Sequence, residues 1–194
     1  MLEIGCGHGH NLHLFAEHGW SVVGVEIDPG AIAVARNRIE QAAIGGEKSP
    51  SCEFIEHDLS SSFPADLKGP FDVILIPSVT CYLGLAGRRR VLDECSSLLA
   101  KGGLVFLRER LLDDYRYGRG TRTDRNTFRL DIKETNEAGL SVSFFSETEV
   151  VNGLISVVGT ELDDLVVLLM RFDNLQNGTI VQNSDIIVWG SRSY

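Results

Sequence analysis

Two periods of apolar spacing run along this chain. Stretches that are mainly continuous in apolar residues stand at 1–4, 21–26, 71–77, 104–107, 165–170 and 185–189, and a shorter one at 52–56. Such runs mark strands covered on both faces. Between them the spacing becomes helical: Leu12, Phe15 and Ala16, then Ile32, Ala35, Ile39 and Ala42, then Val91, Leu92, Cys95, Leu98 and Leu99. The punctuation agrees. Asn11 is the expected N-cap of the first helix and Gly19 its stop. Asp28 and Pro29 open the second helix as N-cap and N1, and a loop is expected at 45–50. The third helix is expected over 86–100, closed by Lys101, Gly102 and Gly103. Ser146 and Glu149 form a capping box, with Phe145 and Val150 as a hydrophobic staple, so a fourth helix starts near 147.

The pattern changes after the strand at 104–107. Residues 113–125 are polar, rich in Arg and broken by Gly. Phe128, Leu130 and Ile132 then alternate with polar residues, as do Leu140, Val142 and Phe144, which predicts a hairpin turning through 134–139. A further turn is expected at Asn177-Gly178. Together these elements predict an α/β fold: a doubly wound, mostly parallel seven-stranded sheet with helices on both faces and a β-hairpin insertion after the fifth strand. One domain spans 1–194, with 113–145 as the insertion. The first strand is short for a central parallel strand, which usually runs about five or six residues, so the natural chain is expected to begin earlier.

Composition narrows the class. Apolar residues make up 43% of the chain, yet no run approaches the roughly 20 residues of a membrane helix. Met1 leads straight into a strand with no basic segment, so no signal peptide is expected. Cysteines 6, 52, 81 and 95 form no C-x-x-C pair, which suits free thiols in a cytoplasmic setting. The net charge of −9 argues against a nucleic-acid partner. That charge is uneven, with six Arg against four acids over 108–125 and seven acids without Lys or Arg over 134–164.

The chemistry centres on Glu3-x-Gly5-x-Gly7-x-Gly9, a strand passing through three alternate glycines into a helix. Glycines there let backbone approach a ligand, and the helix start beyond offers free N–H groups. A dinucleotide fingerprint needs a third glycine at position 10, where His10 stands, and a P-loop needs a following Lys. Glu3 is a carboxylate in an apolar strand, costly unless it meets a polar or cationic partner. His8, His10 and His13 are not placed to converge on a tetrahedral metal, so no metal is expected.

The residues 3–9 resemble motif I of the class I S-adenosylmethionine-dependent methyltransferases. The likeness continues in order through Val23-Gly-Val-Glu26-Ile-Asp28-Pro29, through Asp58, through the 71–78 stretch ending in Pro77-Ser78, and through 99–106 with Gly102-Gly103. It implies S-adenosylmethionine as cofactor, with S-adenosylhomocysteine as product. It implies cofactor contacts at Glu3, Gly5, Cys6, Gly7, Gly9, Asn11, Glu26, Ile27, Asp58, Leu59, Pro77 and Ser78. Glu26 is the choice for the ribose hydroxyls, because Asp28 is better used as a helix cap, and the cationic methionyl end would answer Glu3. N-terminal cap helices, usual in the family, are absent from this sequence.

The resemblance says less about the acceptor. Ile76-Pro77-Ser78-Val79 departs from the Asp/Asn-Pro-Pro-aromatic motif of amino-methyltransferases on bases and amides. Position 77 lacks the acid of metal-dependent catechol-type enzymes, and 77–85 lacks the paired glutamates of arginine methyltransferases. What remains is a small-molecule O, N or C nucleophile. The alternatives are a protein acceptor, or a cofactor-binding module that is truncated or without catalysis. Tyr82, Arg116 and Tyr117 are the expected acceptor contacts, with the 127–145 hairpin as one wall and Arg116 as a reader of carboxylate or phosphate. No residue is assigned as catalytic base, His57 is expected to be structural, and a homodimer is compatible with this reading.

Overall fold

The computed structural model describes residues 1–43 and 51–192. Its elements are β1 (Leu2–Ile4), α1 (His10–Glu17), β2 (Val22–Glu26), α2 (Pro29–Ala43), β3 (Cys52–Glu56), β4 (Phe71–Pro77), α3 (Gly84–Leu98), β5 (Leu99–Arg110), β6 (Gly120–Asp124), β7 (Thr127–Leu130), β8 (Ser141–Ser143), α4 (Glu147–Val158), β9 (Val166–Gln176) and β10 (Thr179–Ser191), with single 3-10 turns at Thr80–Tyr82 and Leu162–Asp164. The expected loop at 45–50 lies outside the described residues.

Among the described residues the main sheet has seven strands in the order β3-β2-β1-β4-β5-β10-β9. The strands from β3 to β5 pair in parallel, while β10 runs antiparallel to both β5 and β9. Strand order reverses direction between β1 and β4. That switch point opens a crevice at the carboxyl ends of the strands, where doubly wound sheets bind ligands.

Packing fixes this arrangement. Ile4, Ile74, Ile76, Val105, Leu107, Ile186 and Val188 are buried together with Val91, Leu92 and Cys95 of α3 and Val150, Leu154 and Val157 of α4. A smaller cluster of Met1, Leu12, Ala16, Val22, Ile39 and Val73 seats α1 and α2 on the opposite side. No described helix is long and apolar enough to cross a membrane. The capping box on α4 is formed in full, with the Ser146 side chain accepting from the Glu149 amide and the Glu149 carboxylate accepting from the Ser146 amide.

Several boundaries differ from expectation. Asn11 is not the N-cap of α1: Gly9 holds that position in the left-handed region, and Asn11 lies inside the helix. α3 stops at Leu98, because Leu99 is already extended and pairs with Phe71. Lys101, Gly102 and Gly103 therefore lie within β5, beside an irregularity in its register with β4, and do not close the helix. The expected hairpin is present as β7 and β8, but the Arg-rich stretch before it contributes a third strand, β6. Leu140 breaks the hairpin's inward alternation and is exposed. The closing hairpin is longer than its apolar cores, because β9 and β10 stay paired from Val166–Trp189 out to Thr179–Gln176 around a turn with Asn177 and Gly178 at φ 46° and 81°.

Candidate active site

At the end of β1 the chain turns through Gly5, Gly7 and Gly9, all left-handed with φ of 71°, 49° and 70°. The amides of Gly5 and Cys6 both donate to the Val25 carbonyl, at 2.8 and 3.0 Å, which fastens the loop across the end of β2. Gly9 has no room for a side chain: a Cβ would sit 2.7 Å from the Cβ of Ala35 on α2. At Gly5 a Cβ would come 2.6 Å from the Val79 side chain, so the residue after Ser78 packs directly over the loop.

Glu26, at the end of β2, gathers three backbone amides. Its Oε2 accepts from Gly7 at 2.9 Å, and its Oε1 accepts from Ile27 at 2.9 Å and Asp28 at 3.1 Å. Each carboxylate oxygen has two lone pairs, so Oε2 keeps acceptor capacity for a ligand hydroxyl. Asp28 turns the other way and accepts from the Gly30 amide at 2.8 Å, which is the helix-capping role expected of it.

Glu3 is buried in β1. Asn11 Nδ2 donates to its Oε1 at 2.7 Å, while its Oε2 is buried with no hydrogen-bond partner. Burial, offset in part by the Asn11 bond and the Leu12 backbone amide and joined by the nearby Glu26 charge, pushes the Glu3 carboxyl up to about 7. Cys6, also in the loop, is turned inward, and burial raises its thiol to about 12.

The crevice is a cavity of about 500 Å³. Of the residues expected to touch the cofactor, Gly5, Glu26, Ile27, Asp58, Leu59, Pro77 and Ser78 line it. Glu3, Cys6, Gly7, Gly9 and Asn11 do not: Cys6, Gly7 and Gly9 form the loop, Glu3 is buried behind it, and Asn11 is an exposed residue of α1. Asp58 accepts from the Ser60 amide at 2.8 Å, and the Ser60 side chain together with that amide keeps its carboxyl below the usual range. Ser78 takes a φ of 57°, unusual for a residue with a Cβ, and its amide donates to the Arg108 carbonyl at 2.9 Å. His8, His10 and His13 do not come together as a cluster of metal-ligand geometry among the described residues.

The acceptor-side expectations divide. Tyr82 lines the cavity, and so does Leu140 from the inserted hairpin. Arg116 does not. It is buried, paired with Asp114 at 3.1 Å and with Glu137, and its Nη1 also reaches Asn183 Oδ1 at 3.2 Å. Tyr117 is also away from the cavity, its ring edge-on to Phe128 and Phe144 at 5.1 and 5.6 Å and its hydroxyl donating to Asn126. Arg116 is therefore an internal strut of the insertion and Tyr117 part of its aromatic packing. His57, Ser60, Val79, Leu83 and Leu140 line the cavity without having been singled out as contacts. Only Leu140 carried a signal, as the apolar residue next to a turn glycine. Behind Tyr82 lies Glu137, which accepts from the Tyr82 hydroxyl at 2.7 Å and from Arg110 Nη1 at 2.5 Å.

A switch-point crevice with a glycine loop on one strand and an acid closing the next defines an α/β domain built to hold a nucleotide-like ligand. The family profile described as "Methyltransferase domain" matches residues 2–105, and the chain belongs to that family, within the class I S-adenosylmethionine-dependent superfamily. It is 29% identical over 105 residues to a ubiquinone biosynthesis O-methyltransferase of Nitrobacter winogradskyi, covering 54% of this chain and 36% of that protein. With the Coxiella burnetii protein of the same name it is 26% identical over 107 residues, covering 55% and 41%. The chain thus spans well under half the length of these relatives. Among solved structures, a SAM-dependent methyltransferase of Methanosarcina mazei superposes with a TM-score of 0.70 at 21% identity, covering 100% of this chain and 92% of that one. TehB of Haemophilus influenzae gives 0.64 at 13% identity, covering 100% and 57%. The residues present suit the family's cofactor. Glu3 Oε2 is a buried acceptor with no hydrogen-bond partner, which suits an ammonium, and Glu26 Oε2 keeps acceptor capacity at the cavity wall, which suits a hydroxyl.

Proposed function

We propose that this chain transfers a methyl group from S-adenosylmethionine to a small-molecule nucleophile by in-line displacement. The observation that carries the reading is one continuous cavity in which Glu26 and Asp58 share space with Pro77, Ser78 and Tyr82. The first two stand at the ribose and adenine side, the last three at the side where an acceptor would approach.

The bound cofactor supplies an electrophilic methyl on a sulfonium. The chain's own work is then positioning. Glu26 accepts from the ribose hydroxyls, Asp58 stands near the adenine amino group, and Ile27 and Leu59 flank the base. Glu3 Oε2 answers the methionyl ammonium. Pro77 and Ser78 set the floor beneath the reacting centre, while Val79 and Leu140 keep the acceptor side apolar. The relatives named as O-methyltransferases support an oxygen nucleophile as one member of the acceptor class, although their likeness covers the cofactor half.

Calorimetric titration with S-adenosylhomocysteine tests the cofactor half of this reading, with micromolar affinity expected. A methyl-release assay against phenols, alcohols, amines and carboxylic acids tests the transfer. No binding at millimolar cofactor overturns the reading; binding without turnover on any acceptor leaves a cofactor-binding module in its place.

A further inference from the structure

Tyr82 belongs to two structures at once. Its side chain lines the cavity, and its hydroxyl donates to Glu137 Oε1 at 2.7 Å. Glu137 is itself fixed from two sides, by Arg110 at 2.5 Å on Oε1 and by Arg116 on Oε2. The Arg110 guanidinium also stands 5.6 Å from the centre of the Tyr82 ring. The phenol is thus gripped at ring and hydroxyl alike. An ionised carboxylate only accepts hydrogen bonds, so the single Tyr82 proton is committed to Glu137. The phenolic oxygen has only lone pairs left to offer.

The arginines nearby are committed as well. Arg88 pairs with Glu109 at 3.0 Å, Arg108 with Asp185, Arg110 with Glu137, and Arg116 with Asp114 and Glu137. Arg90 spends its Nη2 on the carbonyls of Leu59 and Ser60, two residues of the cavity wall, at 3.2 and 2.9 Å. An acceptor that brings a hydrogen engages Tyr82 without disturbing any of these contacts.

We propose that Tyr82 is a specificity-determining residue of the acceptor site: its oxygen takes a hydrogen bond from the acceptor, so the site selects molecules with an O–H or N–H over their methylated counterparts. The inference rests on the methyl-transfer reading and names its substrate class: a hydroxyl or amine compound. Where the hydrogen replaced is the last on the acceptor atom, as in an alcohol or phenol, methylation also removes the group that Tyr82 reads and so gives product release a direction. Sites built to pair with a substrate hydrogen discriminate well against analogues that lack it.

The test uses the whole chain saturated with S-adenosylhomocysteine, titrated by ligand-detected NMR with matched probes: phenol and anisole, catechol and its dimethyl ether, aniline and N,N-dimethylaniline. In the wild type the hydrogen-bearing member of at least one pair should bind roughly five- to tenfold more tightly, the worth of one neutral hydrogen bond. Tyr82→Phe should reduce that preference to under about twofold with S-adenosylhomocysteine affinity unchanged, while the lost bond to the Glu137 carboxylate lowers the melting temperature modestly. A preference that survives in Tyr82→Phe, or a wild type that binds S-adenosylhomocysteine but prefers neither member of any pair, overturns the assignment of Tyr82 alone. Failure to bind S-adenosylhomocysteine overturns it together with the methyl-transfer reading.

Discussion

Asn11, in the first turn of α1, donates to Glu3 of β1 at 2.7 Å and so answers one carboxylate oxygen while the other stays buried and unpaired. The geometry makes Glu3 a charge in waiting. Burial outweighs the Asn11 bond and lifts its carboxyl from an ordinary 4.5 to about 7. Between those two values the folded chain holds more protons than the unfolded one. Stability of the ligand-free protein should therefore fall as pH rises from about 4.5 to 7, by up to about 3 kcal/mol from this group. A bound ammonium reverses the preference, so S-adenosylhomocysteine should bind more tightly at pH 8 than at pH 6. Glu3→Gln should flatten both trends while weakening cofactor binding. Denaturant titrations and calorimetry on both proteins across pH 5–8 check this. Parallel pH trends in wild type and Glu3→Gln would remove Glu3 from the account.

Glu26 and Asp28 lie two residues apart and should fail in different ways. Glu26→Ala strips the acceptor from the amides of Gly7, Ile27 and Asp28 along with the group assigned to ribose. Bonds to a charged acceptor contribute about 1.5–3 kcal/mol, so the affinity for S-adenosylhomocysteine should drop at least about tenfold. Asp28→Ala removes only a helix cap, at about 1 kcal/mol of stability, and should leave that affinity within about twofold. Calorimetry and thermal melts on the two variants separate the roles; equal losses of affinity would merge them.

How much of this was legible in the chain depends on where each element finds its partners. The strands β1, β2 and β4 carry their burial in their own apolar runs, and the acid closing β2 follows directly from them. β6 does not. Gly120–Asp124 contains no apolar residue and is a strand because β7 supplies its backbone partners. β9 departs in the other direction: its apolar run at 166–169 reads as a covered strand but is exposed, and the strand is held by its pairing with β10. Arg116 was misplaced for a related reason. Sequence shows the charge, but not that Glu137, 21 residues on, folds back to capture it. The cofactor half could be read because its residues sit within a few positions of strand ends. The acceptor half is assembled from β4, β5 and the insertion, and the contacts joining them are long-range.

That capture carries its own expectation. Arg116 joins Asp114, Glu137 and Asn183 in a buried cluster, and Glu137 in turn holds Tyr82. Arg116→Ala would leave two carboxylates buried with too few cations. Breaking such a pair typically costs about 3–5 kcal/mol. The variant should therefore be destabilised by that order in chemical denaturation, well beyond an exposed Arg such as Arg89, whose pair with Asp93 is solvated. A change in acceptor KM at full stability would instead restore Arg116 to the acceptor pocket.

The last expectation concerns how the glycine loop is seated on α2. Gly9 has a φ of 70° and faces Ala35, whose Cβ would lie 2.7 Å and whose Cα 3.1 Å from an added methyl. Gly9→Ala therefore meets two penalties, a left-handed backbone of roughly 1 kcal/mol and a clash with a neighbouring helix. Only the second can be relieved from the other side. Ala35→Gly alone should cost about 1 kcal/mol, as a glycine in a helix interior. The double variant should be more stable than the sum of the two losses implies, because removing the Ala35 methyl opens the space the new one needs. The remaining 3.1 Å approach to Cα keeps the rescue partial. A double-mutant cycle by urea denaturation should give a coupling of about 0.5–1.5 kcal/mol in the favourable direction. Strict additivity would mean that α1 and α2 move apart to absorb the methyl, and the close seating of the loop would then contribute nothing to its shape.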